Sequence, residues 1–475
     1  MPATMTTMTR TRTTAGAGAG AGAARVSSSR TRRMPHGRAL LLPARAQVAG
    51  GKSSVVDEEE EGKFDARAFR RSLNKTGRYV RKPTHDEESK KRMDEHGVGY
   101  STSGLVAMMR DNGLSADLSE NLTFKLAESY GFCWGVERAV QMAYEARRAY
   151  PGKQLHITNE IIHNPSVNKR LLEMGVKFIE DRGAENGGKD FSEVGEGDVA
   201  ILPAFGASVH EMKILNDKRV QIVDTTCPYV SKVWNSVETH TRRKHTSIIH
   251  GKWAHEETIA TASFAGDYVI VKNMAEAEYV VELILGRGDH QEFLEKFKNA
   301  ISDGFDPATM LDKVGIANQT TMLKGETEAI GKLFQKTMLE KHGPAELDQH
   351  FVVMDTICDA TQTRQDAMYN MVSHQGTEEG VDLILVVGGY NSSNTCHLQE
   401  IAEEYNIPSF WLDTADRIDA GKNATDWMNS HLEMQRSEGW LPEGKLRIGV
   451  TSGASTPDKV VEDILDKVCE IKMRK

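Results

Sequence analysis

The chain has 475 residues, a length that accommodates two to four domains, and a formal net charge of −9 at pH 7. Hydrophobic residues make up 39% of the sequence, but no run of about 18 apolar residues occurs, so no segment is predicted to span a membrane. The five cysteines are odd in number and form no CxxC pair, which argues against a disulfide framework and against a structural zinc site.

The first 56 residues have a composition typical of an organelle-targeting segment. They contain nine Lys or Arg residues and no acid, since the first acidic residue is Asp57. The apolar stretch ALLLPA is too short for a secretory signal. We therefore predict a transit peptide at residues 1–56, with a basic disordered tail as the alternative. The remaining chain has 68 acidic and 50 basic residues, and its net charge of −18 predicts no nucleic-acid partner.

Residues 57–122 open with DEEEEG and continue as a strongly charged, weakly apolar stretch. Such a composition predicts a solvated N-terminal extension without catalytic residues. A role in shielding the mouth of a functional site, or in contacting a second subunit, is the alternative.

Three segments beyond residue 122 share one pattern, an apolar run that ends in a single cysteine. They are TFKLAESYGFC up to Cys133, VQIVDTTC up to Cys227 and FVVMDTIC up to Cys358. The last two also share Asp-Thr-x-Cys. Each cysteine precedes a stretch with helical spacing of apolar residues, such as VERAVQMAYEARRAY after the first.

The similarity continues after each predicted helix, because a second and a third apolar run follow in every unit. The second run ends in a polar loop 30, 28 and 34 residues after the cysteine, and the third ends in a hydroxyl-rich loop after 75, 93 and 97 residues. Insertions near residues 285–313 and 334–350 lengthen the second unit. These offsets refer to His163, His255 and Ser392 in the polar loops, and to Ser208, Thr320 and Ser455 in the hydroxyl-rich loops.

Alternating strands and helices predict an α/β fold with parallel sheets, since parallel strands need crossover connections. The repetition predicts three similar parallel α/β lobes around a pseudo-threefold axis. Their expected bounds are residues 123–220, residues 221–345 with insertions, and residues 346–475 with a C-terminal helix. Ligands of such sheets bind beyond the carboxyl ends of the strands, where the cysteines and polar loops fall. We therefore expect one central cavity. The alternative is that the repeated Asp-Thr-x-Cys pattern is a coincidence and that the cysteines are buried separately as small hydrophobic residues.

Three converging thiolates can hold an iron–sulfur cluster and leave one iron open for chemistry. Cys396 and Cys469 lie outside the repeated position and are expected to be structural. Cys396 follows the third polar loop closely, so a role as a fourth ligand is the alternative for that residue.

Eight motifs, in this order, carry a resemblance to a known family. They are GFCWGVERAV, EIIHNPSV, DTTCPYVSKV, AHEETIAT, NQTT, DTICDATQTRQ, NSSNT and TSGAS, within about residues 123–465. The chain resembles the plant and cyanobacterial form of the 4-hydroxy-3-methylbut-2-enyl diphosphate reductases. That family catalyses the last step of the methylerythritol phosphate route to isoprenoids.

The resemblance implies a [4Fe–4S] cluster held by Cys133, Cys227 and Cys358, with one iron free to bind the allylic oxygen of the substrate. It implies reductive dehydroxylation to isopentenyl and dimethylallyl diphosphate, in the chloroplast stroma, with ferredoxin as electron donor and a monomeric or homodimeric enzyme. An iron–sulfur redox sensor or electron-transfer protein is the alternative, but it would need no diphosphate-binding loops. A zinc or thiol hydrolase is a further rival.

The family's functional residues can be carried over by motif. Glu257 in AHEE matches the proton-donating acid, and its pKa would have to be raised above the reference of about 4.3. Thr320 in NQTT matches the hydroxyl that relays a proton. Phe205 replaces a histidine that bacterial members carry, so no role of that histidine transfers. The residues that match the diphosphate ligands are His163, His255, Ser392, Ser393, Asn394 and Ser455.

Overall fold

The computed structural model describes residues 65–183, 188–354 and 356–473, which belong to one compact unit, Lys63–Lys475. The predicted transit peptide at residues 1–56 lies outside the described residues. None of the helices in the described ranges is both long and apolar enough to cross a lipid bilayer.

Helices and strands alternate along most of the described chain. The helices are α1 (Ala66–Lys75), α2 (Glu87–Glu95), α3 (Leu105–Asp111), α4 (Trp134–Ala149), α5 (Pro165–Glu173), α6 (Val209–Asp217), α7 (Pro228–Arg242), α8 (Glu256–Ser263), α9 (Met274–Ile284), α10 (His290–Lys296), α11 (Lys324–His342), α12 (Leu347–His350), α13 (Asp359–Ser373), α14 (Ser393–Glu404) and α15 (Asp458–Met473). The strands are β1 (Tyr79–Val80), β2 (Ser115–Ser119), β3 (Leu122–Leu126), β4 (Leu155–Ile157), β5 (Val176–Phe178), β6 (Val199–Leu202), β7 (Gln221–Asp224), β8 (Thr246–His250), β9 (Tyr268–Val271), β10 (Val314–Asn318), β11 (Phe351–Val353), β12 (Leu383–Val387), β13 (Ser409–Leu412), β14 (Ile418–Asp419), β15 (Ala424–Met428), β16 (Met434–Glu438) and β17 (Leu446–Ser452).

The strands form three sheets that contain the same parallel motif. The first sheet has the order β1-β7-β6-β4-β5, and the second has β11-β10-β8-β9. The third has β14-β15-β13-β12-β17-β3-β2, with β16 paired to β15. Each contains four parallel strands in equivalent order: a strand that leads to a cysteine, then the third apolar run, the second apolar run and a further strand that follows the second run in sequence. The three-lobed α/β fold predicted from the sequence is confirmed.

The central strands of these sheets are buried along their length, as parallel strands covered by helices on both faces usually are. All five residues of β8, β10 and β12 are buried, and most of them are apolar. In the antiparallel strand β2, at an edge of the third sheet, only Ala116 is buried.

The sheets divide the chain at points that differ from the expected lobe bounds of 123–220, 221–345 and 346–475. Each strand that leads to a cysteine pairs with the sheet of another unit. Strand β7, before Cys227, pairs with β6 of the first sheet, and β11, before Cys358, pairs with β10 of the second. Strand β3, before Cys133, pairs with β17 of the third sheet. Backbone ladder pairing, not order along the chain, decides which sheet a strand joins, so the chain crosses between lobes at every cysteine.

The expectation of a solvated extension at residues 57–122 is wrong for the described residues from 65 onward. Strand β1 extends the first sheet, with Tyr79 opposite Ile222, and β2 pairs with β3. Few apolar residues occur here, but Leu73 and Met109 are almost fully buried. Widely spaced apolar side chains in a charged segment are therefore enough to dock it on two lobes.

Candidate active site

The three repeated cysteines line a single cavity at the carboxyl ends of the parallel strands. Each is the residue that caps the N-terminus of a helix: Cys133 for α4, Cys227 for α7 and Cys358 for α13. The Cys133 sulfur accepts a hydrogen bond from the amide of Val136 at 3.4 Å. Pro228 fits the first turn of α7, where its missing N–H would have no partner. Strand-to-helix turns thus bring three thiols from three sheets together.

The spacing of these thiols fits a cluster better than a single ion. Three thiolates on one zinc ion, each about 2.3 Å from the metal, would lie within about 4.6 Å of one another. Among the described residues, the groups of three His, Cys, Asp or Glu ligand atoms within 4.8 Å of one another contain no cysteine. The sulfurs can instead each bind a different metal atom of a multinuclear cluster.

Gly135 preserves the space between two of the thiols. A Cβ atom at this position would lie 2.5 Å from the Cys227 sulfur and 3.9 Å from the Cys133 sulfur. Because the first distance is far below van der Waals contact, any side chain would displace the Cys227 thiol. The residues around the cysteines therefore form a recess that fits a bound inorganic group.

The pKa values of Cys227 and Cys358 are unlike those of a catalytic nucleophile. The pKa of Cys227 is raised to about 12, chiefly by burial and to a smaller extent by the neighbouring Cys133 and Cys358. Burial also raises the pKa of Cys358. Nucleophilic cysteines have lowered pKa values, whereas a bound metal deprotonates a thiol outright. The arrangement favours a role of these cysteines as metal ligands over a role as the nucleophile of a thiol hydrolase.

Two histidines, His163 and His255, line the same cavity. His255 Nδ1 accepts a hydrogen bond from the Glu257 amide at 3.1 Å, so the ring proton is on Nε2. Burial lowers the pKa of His255 well below 6.5, and the neighbouring His163 lowers it further. His163 Nδ1 lies 3.1 Å from the Glu160 carboxylate, while its buried Nε2 has no hydrogen-bond partner. The His163 ring stacks on Phe205 with a centroid distance of 4.7 Å.

Glu257 and Thr320 form a buried pair at the cavity wall. The carboxylate accepts hydrogen bonds from the Thr320 amide at 2.5 Å and from the Thr320 hydroxyl at 3.0 Å. Burial raises the pKa of Glu257 to about 7, although both hydrogen bonds act to lower it. The neighbouring Glu256 is far more exposed, with a side-chain exposure of 37% against 3% for the Glu257 residue. Glu257 can therefore hold a proton near neutral pH.

A third wall of the cavity is built from small polar residues at the start of α14 and after β17. Ser392 caps α14 by accepting from the Thr395 amide, and Ser393 accepts from the Gln319 side chain at 3.0 Å. Asn394 Oδ1 accepts from the Ala454 amide at 2.9 Å, whereas its buried Nδ2 has no partner. Ser455 donates to the carbonyl of His163 at 3.2 Å, which links this wall to the histidines.

Two glycines allow these loops to approach each other closely. A Cβ atom on Gly389 would lie 2.3 Å from the carbonyl oxygen of His163, and one on Gly453 would lie 2.1 Å from the Thr395 hydroxyl. The polar walls therefore depend on backbone approaches that only glycine permits.

The two remaining cysteines do not line this cavity. The Cys396 thiol donates to the Glu400 carboxylate and to the carbonyl of Ser430, both at 3.6 Å. Cys469 packs in the apolar core of the third lobe. The alternative of Cys396 as a fourth ligand therefore has no support in the geometry.

Sequence reasoning missed three residues that shape the site, of which Gln319 and Arg364 are buried and Arg138 is half-buried. Gln319 accepts from the Lys252 amide and the Thr258 hydroxyl and donates to Thr321 and Ser393, which joins the second and third lobes. Arg138 and Arg364 donate to backbone carbonyls that precede cysteines. The only signal in the sequence was their position inside the quoted motifs.

The fold and the site define a class of α/β proteins in which three thiols from three sheets and a set of polar side chains line one cavity. The chain belongs to the family described as LytB protein, whose model matches residues 124–469. The resemblance found in the sequence motifs is thereby confirmed.

Curated relatives match most of the chain at high sequence identity. The chain is 59% identical over 418 residues to the chloroplastic 4-hydroxy-3-methylbut-2-enyl diphosphate reductase of Botryococcus braunii, covering 88% of this chain and 83% of that one. It is 60% identical over 370 residues to the reductase of the same name from Synechocystis sp., covering 78% and 95%. A solved Plasmodium falciparum structure, titled E-1-hydroxy-2-methyl-but-2-enyl-4-diphosphate reductase, has a TM-score of 0.53 at 24% identity, covers 73% of this chain and 87% of that one, and supports the fold.

Proposed function

We propose that the chain reduces 4-hydroxy-3-methylbut-2-enyl diphosphate to isopentenyl diphosphate and dimethylallyl diphosphate, the last step of the methylerythritol phosphate pathway. The reaction consumes two electrons and two protons and releases the substrate hydroxyl as water. The observation that carries the proposal is one cavity lined by three thiols, a protonatable carboxyl and two histidines. Curated relatives of 57–60% identity carry the name of this activity.

Cys133, Cys227 and Cys358 are the proposed ligands of a [4Fe–4S] cluster. Their wide spacing and the recess at Gly135 support this assignment. When bound, such a cluster with one iron free of protein ligands would supply electrons and a Lewis acid for the allylic hydroxyl. An electron-transfer protein or redox sensor would have no use for the polar walls of the cavity.

The diphosphate of the substrate is proposed to bind on the polar walls through neutral donors. His255 Nε2 carries a proton, and the buried Nδ2 amide of Asn394 is a donor without a partner. His163 Nε2 also has no partner and belongs to the same cavity wall. Ser392 and Ser393 lie at the N-terminus of the 12-residue helix α14, whose exposed amides and dipole favour an anion. Ser455 completes the set. Unsatisfied donors are costly to bury, so a ligand rich in acceptor oxygens suits this site.

Glu257 is the proposed proton donor for the departing hydroxyl. Its pKa of about 7 means that a substantial fraction is protonated at neutral pH, as a general acid requires. The Thr320 hydroxyl, 3.0 Å from the carboxylate, can pass the proton on by accepting from Glu257 and donating to the substrate oxygen. Because the pair is buried, bulk water is excluded from this path.

The cellular setting is proposed by analogy with the relatives. One of them is named as chloroplastic, which supports a plastid stromal location and a transit peptide at residues 1–56. Ferredoxin is the proposed electron donor, since a plastid supplies it. We further propose a monomer or homodimer with no membrane or nucleic-acid partner.

Anaerobic purification followed by iron and sulfide analysis tests the cluster. We expect close to four irons per chain, loss of iron in Cys133→Ser, Cys227→Ser and Cys358→Ser, and full iron in the control Cys469→Ser. Addition of the substrate should change the cluster spectrum and yield both products. An active protein without iron would contradict the proposal, and a cluster that ignores the substrate would favour the electron-transfer alternative.

A further inference from the structure

Arg364 clamps the backbone that leads to Cys133. This residue follows Cys358 by six positions in α13 and is only 4% exposed. Its guanidinium donates to three successive carbonyls, those of Tyr130 at 3.3 Å, Gly131 at 2.5 Å and Phe132 at 3.1 Å. A helix that begins at one cysteine thus fixes the loop that ends at another.

Arg138 makes a corresponding contact on the next cysteine loop. It follows Cys133 by five positions in α4 and donates to the carbonyls of Thr225 at 3.1 Å and Thr226 at 3.3 Å, directly before Cys227. Each arginine therefore lies in the helix that follows one cysteine and holds the loop that precedes a different cysteine.

The electrostatic surroundings of the two arginines differ. Burial lowers the pKa of Arg138, and the fully buried carboxylate of Asp224 is the largest influence that raises it. Burial also lowers the pKa of Arg364, but there the influences that raise it are Cys133, Tyr100 and Cys358. Among the described residues, no ion pair within 4.0 Å joins a carboxylate to Arg364 or to Arg138, since Asp224 pairs with Arg81 at 3.0 Å.

A buried guanidinium without a carboxylate is costly unless another negative group compensates it. The thiols of Cys133 and Cys358 can do so once they are deprotonated as metal ligands. In return, a permanent positive charge close to a cluster stabilises the state that carries one more electron.

We propose that Arg364 is a positioning residue that holds the Cys133 loop in place for ligation and whose charge raises the reduction potential of the bound cluster. Arg138 positions the Cys227 loop in the same way. This inference rests on the proposed cluster function, and it assigns separate structural and electrostatic tasks to one side chain.

Arg364→Gln and Arg364→Lys separate the two tasks, because Gln keeps hydrogen-bond donors without the charge and Lys keeps the charge without the planar fork. The holoenzyme is assayed for iron content and for cluster potential by a dithionite titration followed by absorbance and electron paramagnetic resonance. Arg70→Gln is the matched control, since Arg70 is also buried but pairs with Glu238 away from the cysteines.

We expect both Arg364 variants to lose part of their iron, while Arg70→Gln keeps it. In the clusters that remain, Arg364→Gln should lower the ratio of reduced to oxidised cluster at a fixed potential about 10-fold. This corresponds to a reduction potential lower by about 59 mV for one electron. Arg364→Lys should keep the wild-type potential.

Wild-type iron and wild-type potential in Arg364→Gln would overturn the inference. Complete loss of iron from both Arg364 variants, with full iron in Arg70→Gln, would support the positioning task. In that case the cluster of Arg364→Gln is first reconstituted with iron and sulfide, without ferricyanide, and its potential is then titrated to test the electrostatic task. An iron-free wild-type enzyme would instead contradict the proposed function, so the two failures are distinguishable.

Discussion

The buried carboxyl of Glu257 predicts how turnover responds to pH. Its pKa is raised from the reference value of 4.5 to about 7 by burial. A general acid acts in its protonated form, so the sign is a fall in rate as pH rises through the pKa. With a pKa of about 7, roughly 90% of the carboxyl is protonated at pH 6 and roughly 10% at pH 8, and kcat should fall about ninefold between them.

The assay is anaerobic steady-state turnover at saturating substrate, with a one-electron donor whose potential does not depend on pH. Glu257→Gln should keep its iron and bind the substrate, because the amide can still bond to both the amide and the hydroxyl of Thr320. Its kcat should fall about 10²–10⁴-fold, the usual contribution of a positioned acid, and should no longer decline between pH 6 and 8.

Glu256→Gln is the matched control, since this neighbouring acid is partly exposed and makes no hydrogen bond to Thr320 among the described contacts. It should retain the ninefold decline. A flat wild-type profile from pH 6 to 8, or wild-type turnover in Glu257→Gln, would show that the proton comes from another group.

Two glycine substitutions test the close packing around the site. Gly135→Ala should lower the iron content without changing the circular dichroism spectrum, because the new methyl group would lie 2.5 Å from the Cys227 sulfur. Gly152→Ala, with open space around its Cβ, is the control, and equal iron in both variants would refute the argument. Gly453→Ala should raise KM for the substrate at least about 10-fold while leaving iron unchanged, since its Cβ would lie 2.1 Å from the Thr395 hydroxyl. An unchanged KM would remove this loop from diphosphate binding.

The placement of the cysteines at strand ends could be predicted because the pattern is local. An apolar run, a cysteine and a helical periodicity are all visible within about 25 residues of the sequence. The residues of the polar loops could be located by the same repetition, and the structure brings His163, His255 and Ser455 to one cavity.

The assignment of strands to sheets could not be predicted, because it depends on pairing between distant segments. Nothing near Leu122–Leu126 in the sequence shows that its partner is Leu446–Ser452. The state of Glu257 was hidden for a similar reason. Two adjacent glutamates look alike in the sequence, and only the tertiary fold buries one and leaves the other partly exposed.

Strand β3 leads to the first cysteine, yet its parallel partner β17 is made near the end of synthesis. A nascent chain has no β17 with which β3 can pair until Leu446–Ser452 has been synthesised. A chain cut before Leu446 would keep all three thiols but would lack the strand that supports the segment leading to Cys133. Assembly of the cavity that brings the three thiols together is therefore a late event in folding.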